Sequence, residues 1–140
     1  MKFLSFSYND NELYGVKVKR EESAWNLIKV LEDFDNTDKI PATLREAIEV
    51  YGVSFIEKIR KVLKLVEESG KAESYKVPFD KIIWRSPITR TPKNILCVGH
   101  NYEAHVNELG DELAKTPKDV LIFTKATTAL AGNNEVVPSH

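Results

Sequence analysis

Two amphipathic segments lie next to each other between residues 43 and 70, and β-prone sequence comes before and after them. In "TLREAIEVY", Thr43 is followed three residues later by Glu46, which is the pattern of a helical capping box. In "SFIEKIRKVLKLVEESG", Ser54 begins the same pattern, apolar residues recur at helical spacing, and Gly70 is a suitable C-cap. Because two helices lie between stretches of β-prone sequence, the sequence predicts the α+β class.

The sequence before these helices predicts a β-hairpin. Residues 3–8 and 13–18 are β-prone and partly alternating, and the "NDN" between them favours a turn. The following "SAWNLIKVLEDF" predicts a short helix, because its apolar residues recur at helical spacing. Near the end of the sequence, "NILCVG" and "VLIF" are apolar runs typical of short strands.

The composition changes after the second amphipathic segment, where the residues favour extended structure. Three prolines fall in this stretch: Pro78, Pro87 and Pro92. Each proline pushes the residue before it toward an extended conformation. We therefore predict a small N-terminal α+β domain at residues 1–72, a linker at residues 73–88 and a second domain at residues 89–140.

Charge and cysteine content exclude several classes of function. The chain has 20 basic and 21 acidic side chains, so no net field draws it to nucleic acid or to an anionic membrane. The single cysteine, Cys97, excludes an internal disulfide framework and a CxxC motif. No run approaches the roughly 20 apolar residues of a membrane span, and the first residues do not resemble a signal peptide. The cytoplasm is the expected location.

The run "GHNYEAHVNELG" carries the residues most suited to chemistry. On a helical turn His105 and Glu108, three residues apart, lie on one face and can meet. A carboxylate beside an imidazole orients it and raises its basicity, as a general base for water requires. The alternative is an ordinary surface pair. Lys125 follows an apolar strand, and it either projects into a cleft to stabilise negative charge or is a solvated strand-end lysine.

Two blocks of sequence, in this order, resemble the start of the catalytic domain of the fumarylacetoacetate hydrolase family, and the resemblance covers residues 87–140. The first block is Gly-x-Asn-Tyr-x-x-His-x-x-Glu, and the second is Phe-x-Lys, a Thr–small–Gly stretch and an apolar–Pro step. Their matching positions are Gly99, Asn101, Tyr102, His105 and Glu108, then Phe123, Lys125, Thr128 to Gly132, and Val136 to Pro138.

This resemblance implies a mixed β-roll domain, incomplete in this chain, and a homodimeric enzyme that uses Mg²⁺ or Mn²⁺. Family substrates are 2-oxo acids and 1,3-diketo acids, and the reactions are acylpyruvate hydrolysis, oxaloacetate decarboxylation or hydroxydienoate isomerisation. By this resemblance His105 moves the proton or activates water, and Glu108 orients it. Lys125, Asn101 and Tyr102 are then the substrate-binding residues.

The departures from the family pattern concern the metal above all. His100 and Ala126 replace residues that are commoner in the family, which alters the pocket without removing the chemistry. The family's metal ligands are a Glu-x-Glu pair and a further acid, and no such pair occurs between Lys125 and His140. We therefore expect the metal ligands downstream of His140, and we expect the 140 residues alone to be inactive.

Two alternatives remain open to the interpretation that this chain is the N-terminal part of such an enzyme. In one, the chain is a non-enzymatic α+β domain that binds a partner through its helices or an open β edge. In the other, it is one piece of a split enzyme that a C-terminal segment on a second polypeptide complements. Hydrolase and lyase chemistry in 2-oxo acid catabolism is the expectation that the two matched blocks favour.

Overall fold

The computed structural model describes residues 1–37, 39–99 and 120–137, and within them the chain forms two compact units. We call residues 1–89 with 130–137 the sheet–helix unit, and the described parts of 90–129 the ribbon unit. The strands are β1 (Phe3–Tyr8), β2 (Asn11–Lys17), β3 (Ser23–Asn26), β4 (Lys76–Pro78), β5 (Ile83–Arg85), β6 (Ile95–Gly99) and β7 (Leu121–Lys125). The α-helices are α1 (Leu27–Phe34), α2 (Leu44–Tyr51) and α3 (Phe55–Glu68). None of the helices in the described ranges is long and apolar enough to cross a membrane.

The sheet–helix unit is built on an antiparallel sheet with the strand order β4-β3-β2-β1-β5. The predicted N-terminal hairpin is confirmed, since β1 and β2 pair from Phe3 opposite Val16 to Tyr8 opposite Asn11. Asn9 and Asp10 between the strands both have positive φ, at 49° and 61°. Two consecutive residues of this kind form the turn that matches the twist of a hairpin.

The main core lies between one face of this sheet and the helices. Tyr14, Val16 and Trp25 from the strands pack with Leu31 from α1 and Ile59 from α3. A second, smaller cluster of buried residues lies on the opposite face of the sheet: Leu4, Phe6, Ala24 and Val77. The alternation of β2, in which Tyr14 and Val16 share one face, is therefore the feature that orients the sheet toward the helices.

Of the two predicted helix caps, the structure confirms the one at Thr43 and not the one at Ser54. The Thr43 side chain accepts a hydrogen bond from the backbone N–H of Glu46 at 3.1 Å, as predicted for α2. Ser54 makes no such bond, because its hydroxyl donates instead to the carbonyl of Tyr51 at 2.6 Å. α2 ends with its C-cap Gly52, whose φ of 52° is not helical, and a 3₁₀ turn at Gly52–Ser54 leads from there into α3. Ser54 therefore has helical backbone angles rather than those of a cap.

The segment "SAWNLIKVLEDF" is half strand and half helix rather than helical throughout. Its first four residues form β3, and the helix begins only at Leu27. The Asn26 side chain is the reason for the boundary, because it accepts hydrogen bonds from the backbone N–H groups of Ile28 and Lys29 at 3.1 and 3.3 Å. Asparagine is among the best N-cap residues, and here its signal outweighs the apolar spacing.

Residues 73–88 differ from the predicted linker, because they contribute two strands to the sheet. β4 pairs with β3, and β5 pairs with β1. Pro78 is compatible with β4 because β4 lies at an edge of the sheet, where one side of the backbone needs no partner. Pro87 and Pro92 lie outside the strands. Residues 130–137, which we predicted within the second domain, also belong to the sheet–helix unit. The α+β class itself is confirmed.

A polar cluster around Asp35 joins the end of α1 to α2 and α3. The Asp35 carboxylate, whose side chain is 11% exposed, accepts hydrogen bonds from Lys58 at 2.8 Å, Thr37 at 3.0 Å and Tyr51 at 3.1 Å. Burial acts to raise the pKa of this carboxyl, but the hydrogen bonds from Lys58 and Thr37 and the Lys58 charge outweigh it and lower the pKa below its ordinary value.

Replacing Asp35 by asparagine is expected to lower the free energy of unfolding by about 2 kcal/mol at neutral pH, because Lys58 loses the carboxylate with which it pairs at 2.8 Å. A lowered native pKa means that this stabilisation is present above the unfolded pKa and is lost as pH falls through the folded value. Urea titrations at neutral pH and at about pH 2 to 3 measure both effects, with the gap between the proteins narrowing in acid. The control is Glu49→Gln, which breaks the exposed Arg45–Glu49 pair and is expected to cost less than about 0.5 kcal/mol. A gap that stays constant with pH would contradict the assigned role of the carboxylate.

Candidate functional site

The strands that flank the motif-bearing run form an antiparallel ribbon. β6 ends at Gly99, directly before the run, and β7 begins at Leu121, with Gly99 opposite Leu121 and Ile95 opposite Lys125. Asn101, Tyr102, His105 and Glu108 lie outside the described residues. The geometry of the proposed base and its orienting acid is therefore a prediction from the sequence alone. The pairing does bring the two strands that carry the family-like blocks into direct contact.

The register places Lys125 at the end of the ribbon away from the run. Its strand partner is Ile95, four residues before Gly99, which is roughly 14 Å along a strand at about 3.4 Å per residue. Lys125 is exposed, and it forms no ion pair with any residue of the described ranges. The predicted cleft that Lys125 shares with His105 lies outside the described residues.

The ribbon exposes an unusual amount of apolar surface. Leu96 is 72% exposed, Ile122 is 60% exposed and Val98 is 54% exposed. Cys97 is half-buried opposite Phe123, as expected for a small apolar residue rather than an accessible thiol. A two-stranded ribbon is marginal in water by itself, and soluble proteins rarely leave such a surface uncovered. The ribbon therefore has the properties of a surface that other residues cover.

Residues 130–137, at the end of the second block, belong to the sheet–helix unit. Glu135 accepts a hydrogen bond from the Arg85 side chain at 3.0 Å and another from the backbone N–H of Gly132 at 2.6 Å. Arg85 also donates to the Ser7 hydroxyl at 3.0 Å. A side chain at Gly132 would collide with the carbonyl oxygen of Trp84, so only glycine allows this close approach. We call these contacts the Glu135 clasp.

A polar cavity of about 320 Å³ lies beside the Glu135 clasp. Its lining residues are Glu12, Arg85, Ser86, Thr89, Leu130 and Glu135. The sequence analysis missed Arg85 and Glu135, because no local pattern links residues 50 positions apart. Both side chains are about one-third exposed and already paired with each other, so the clasp neutralises the charge of each. Its evident effect is to hold residues 132–135 against β5.

In the described ranges, no three side chains of His, Cys, Asp or Glu converge in the way that a metal ion requires. Glu135, the acid nearest the predicted metal-binding region in sequence, is committed to Arg85 and Gly132. The described residues therefore do not by themselves supply a Mg²⁺ or Mn²⁺ site, which needs several oxygen ligands around one point.

No family model matches this chain. Over 141 aligned residues it is 44% identical to uncharacterized proteins of Staphylococcus aureus, including those of strains USA300 and COL. The match takes in 100% of this chain and 45% of each of those proteins. The chain thus spans about half the length of the curated relatives it matches.

Proposed function

We propose that this chain is part of a metal-dependent enzyme, similar to the fumarylacetoacetate hydrolase family, that acts on C–C bonds of 2-oxo acids. The observation that carries the proposal is the presence of the two family-like blocks in the same order as in the family. The β6–β7 pairing is compatible with it, because Gly99 at the start of the first block lies opposite Leu121, shortly before the second block. The apolar surface of the ribbon agrees with a β-roll that further strands complete.

In this proposal His105 accepts the proton from water, or moves it during bond cleavage, and Glu108 holds the imidazole in the required orientation. Asn101, Tyr102 and Lys125 bind the substrate, with the lysine ammonium facing negative charge. A Mg²⁺ or Mn²⁺ ion supplies Lewis-acid chemistry when bound. Its ligands are expected outside the described residues, downstream of His140.

Further parts of the proposal concern location and assembly. We propose a cytoplasmic enzyme that forms a homodimer and binds neither nucleic acid nor membrane. Light scattering of a longer form of the protein tests the dimer directly. The 140-residue chain alone is expected to be inactive, and a C-terminal segment supplied as a second polypeptide is expected to associate with the ribbon.

The decisive test compares this chain with a longer form that continues through the downstream Glu-x-Glu. Oxaloacetate decarboxylation and acetylpyruvate cleavage are measured for each, with Mn²⁺ and with EDTA. Activity that requires Mn²⁺ and appears only in the longer form is the expected result. Metal-dependent turnover by the 140 residues alone would contradict the expected position of the metal ligands. Absence of both activities from a folded longer form would contradict the proposed substrate class.

A second candidate function is a non-enzymatic binding domain, and the exposed ribbon favours it as well. Leu96, Val98 and Ile122 form an apolar surface of the kind that partners cover. In that case His105 and Glu108 form an ordinary surface pair, and their substitution leaves partner binding unchanged. Charged substitutions at Leu96 or Ile122 then abolish the interaction. The two functions are therefore distinguished by the substitutions that cause loss of function: those at His105 and Glu108 for the enzyme, and those at Leu96 and Ile122 for the binding domain.

A further inference from the structure

A cavity of about 430 Å³ opens at one end of the sheet–helix unit, far in sequence from both family-like blocks. Residues at the start of β1, around the end of β2 and on α3 line it. Its apolar lining includes the buried residues Val16, Val18, Trp25 and Leu63, and the exposed Met1 lies at its edge. The volume is within the range of small-molecule sites, and the apolar lining provides a surface on which a carbon skeleton can bind.

Four cationic residues surround this apolar lining: Lys2, Lys19, Arg20 and Arg60. None of them forms an ion pair with a carboxylate in the described ranges. Glu67 is the acid among the lining residues. Since the whole chain has a net charge of −1, this excess of positive charge is local. The rim therefore attracts an anion.

Trp25, one of the lining residues, also carries a buried polar group. Trp25 is 8% exposed, and its Nε1 has no hydrogen-bond partner in the described part of the chain. A buried tryptophan N–H usually has a partner, because a donor removed from water without one is costly. A ligand with an acceptor atom would satisfy this donor after a small rearrangement of the side chains around it.

We propose that this cavity is a binding site for a small organic anion that combines an apolar body with a carboxylate or phosphate group. The apolar body contacts Val18, Trp25 and Leu63, and the anionic group faces Lys19 and Arg60. The Trp25 indole donates to an acceptor of the ligand. Lys17, which also lines the cavity, is not part of the anion site, because its ammonium group pairs with Glu22 at 2.9 Å and lies over the Phe79 ring.

Tryptophan fluorescence provides a direct readout, since the sequence has two tryptophans and one of them lines the cavity. In a Trp84→Phe variant Trp25 is the only tryptophan. Trp84 packs edge-to-face on Phe79, so phenylalanine keeps an aromatic ring there. Phenyl phosphate, phenylacetate, inorganic phosphate and phenol are the probes, and calorimetry on the unmodified chain measures the same equilibria. We expect saturable quenching by at least one of the two amphipathic anions and none by phenol.

Substitutions that remove one positive charge distinguish binding in the cavity from nonspecific attraction of an anion to the protein. Arg60→Gln and Lys19→Gln are each expected to raise the dissociation constant about fivefold, the size expected for one charge at about 4 Å in water. Lys64→Gln is the matched control, because Lys64 is on α3 with Arg60 but pairs with Glu68 outside the cavity. Circular dichroism and thermal melts check that the variants fold.

The comparison of probes decides the class of ligand. Tighter binding of phenyl phosphate than of phenylacetate assigns a phosphate group, and the reverse assigns a carboxylate. Equal binding of inorganic phosphate and phenyl phosphate would overturn the proposal, because the apolar lining would then contribute nothing. An equal loss in Lys64→Gln, or no quenching and no heat with either amphipathic anion at millimolar concentration, would overturn it as well.

Discussion

Replacing His105 by glutamine in a longer, active form of the protein is expected to lower kcat by at least about a hundredfold. Glutamine keeps hydrogen-bonding capacity at a similar size, but it cannot accept and release a proton near neutral pH. Loss of a general base removes stabilisation of the transition state more than of the bound substrate. KM for oxaloacetate or acetylpyruvate is therefore expected to change little, and steady-state kinetics with saturating Mn²⁺ measures both constants.

Two neighbouring carboxylates provide the matched comparison for this prediction. Glu108→Gln is expected to lower kcat about tenfold, because the imidazole keeps its nitrogen but loses the group that orients it. Glu103→Gln removes an equal charge at a position that the family-like block leaves variable, and it is expected to leave kcat unchanged. If His105→Gln retained full metal-dependent activity, another group would have to move the proton. An equal loss in all three variants would indicate a general structural effect.

Replacing Gly15 by valine is expected to destabilise the sheet–helix unit by about 3 kcal/mol or more. A Cβ atom at this position of β2 would collide with the carbonyl oxygen of Trp25 and lie 3.1 Å from the ring of Phe6. Neither neighbour can yield easily, because one is backbone of β3 and the other is a fully buried ring. The branched side chain of valine adds atoms to this collision.

The Gly70→Ala variant is the control for Gly15→Val, because it introduces backbone strain without a steric collision. Gly70 has a φ of 70° and open space around its Cα, so alanine there meets no atom within 4 Å and costs only the strain of a left-handed conformation. That strain is expected to lower the free energy of unfolding by about 1 kcal/mol. Urea unfolding of both variants, with mid-points and slopes compared, measures how much each one lowers the free energy of unfolding. Equal costs for Gly15→Val and Gly70→Ala would show that β2 can move away from β3.

The turns and helix ends that depend on the preferences of single residues could be predicted from the sequence. The Asn9–Asp10 turn, the Thr43 cap and the left-handed Gly70 all follow from conformational preferences of the residues themselves. Ser54 shows where this approach fails, because its spacing to Glu57 matches a capping box although Ser54 itself has helical backbone angles. An N-cap residue needs an extended backbone conformation. The spacing between a serine and a glutamate does not determine that conformation.

Long-range partners are what the sequence could not reveal. β5 has only three residues, and its pairing with β1 spans more than 70 positions of chain. The Arg85–Glu135 contact likewise joins segments with no shared periodicity. For the candidate site, the residue types and their order could be read directly, but whether His105 and Lys125 share a cleft depends on the path of residues 100–119. Short extended segments carry too little hydrophobic pattern to show where they pair.

The Glu135 clasp has a topological consequence. The chain leaves the sheet–helix unit after Thr89 and returns to it at Leu130, and both of these residues line one cavity beside the clasp. The roughly 40 residues between them are thus an insertion with both ends anchored on one scaffold. Closing a loop of this length costs about 3 kcal/mol in chain entropy, and lengthening it further adds little. A scaffold that has already met this cost can accept inserts of different size and sequence at this point, so residues 90–129 can change without loss of the sheet–helix unit.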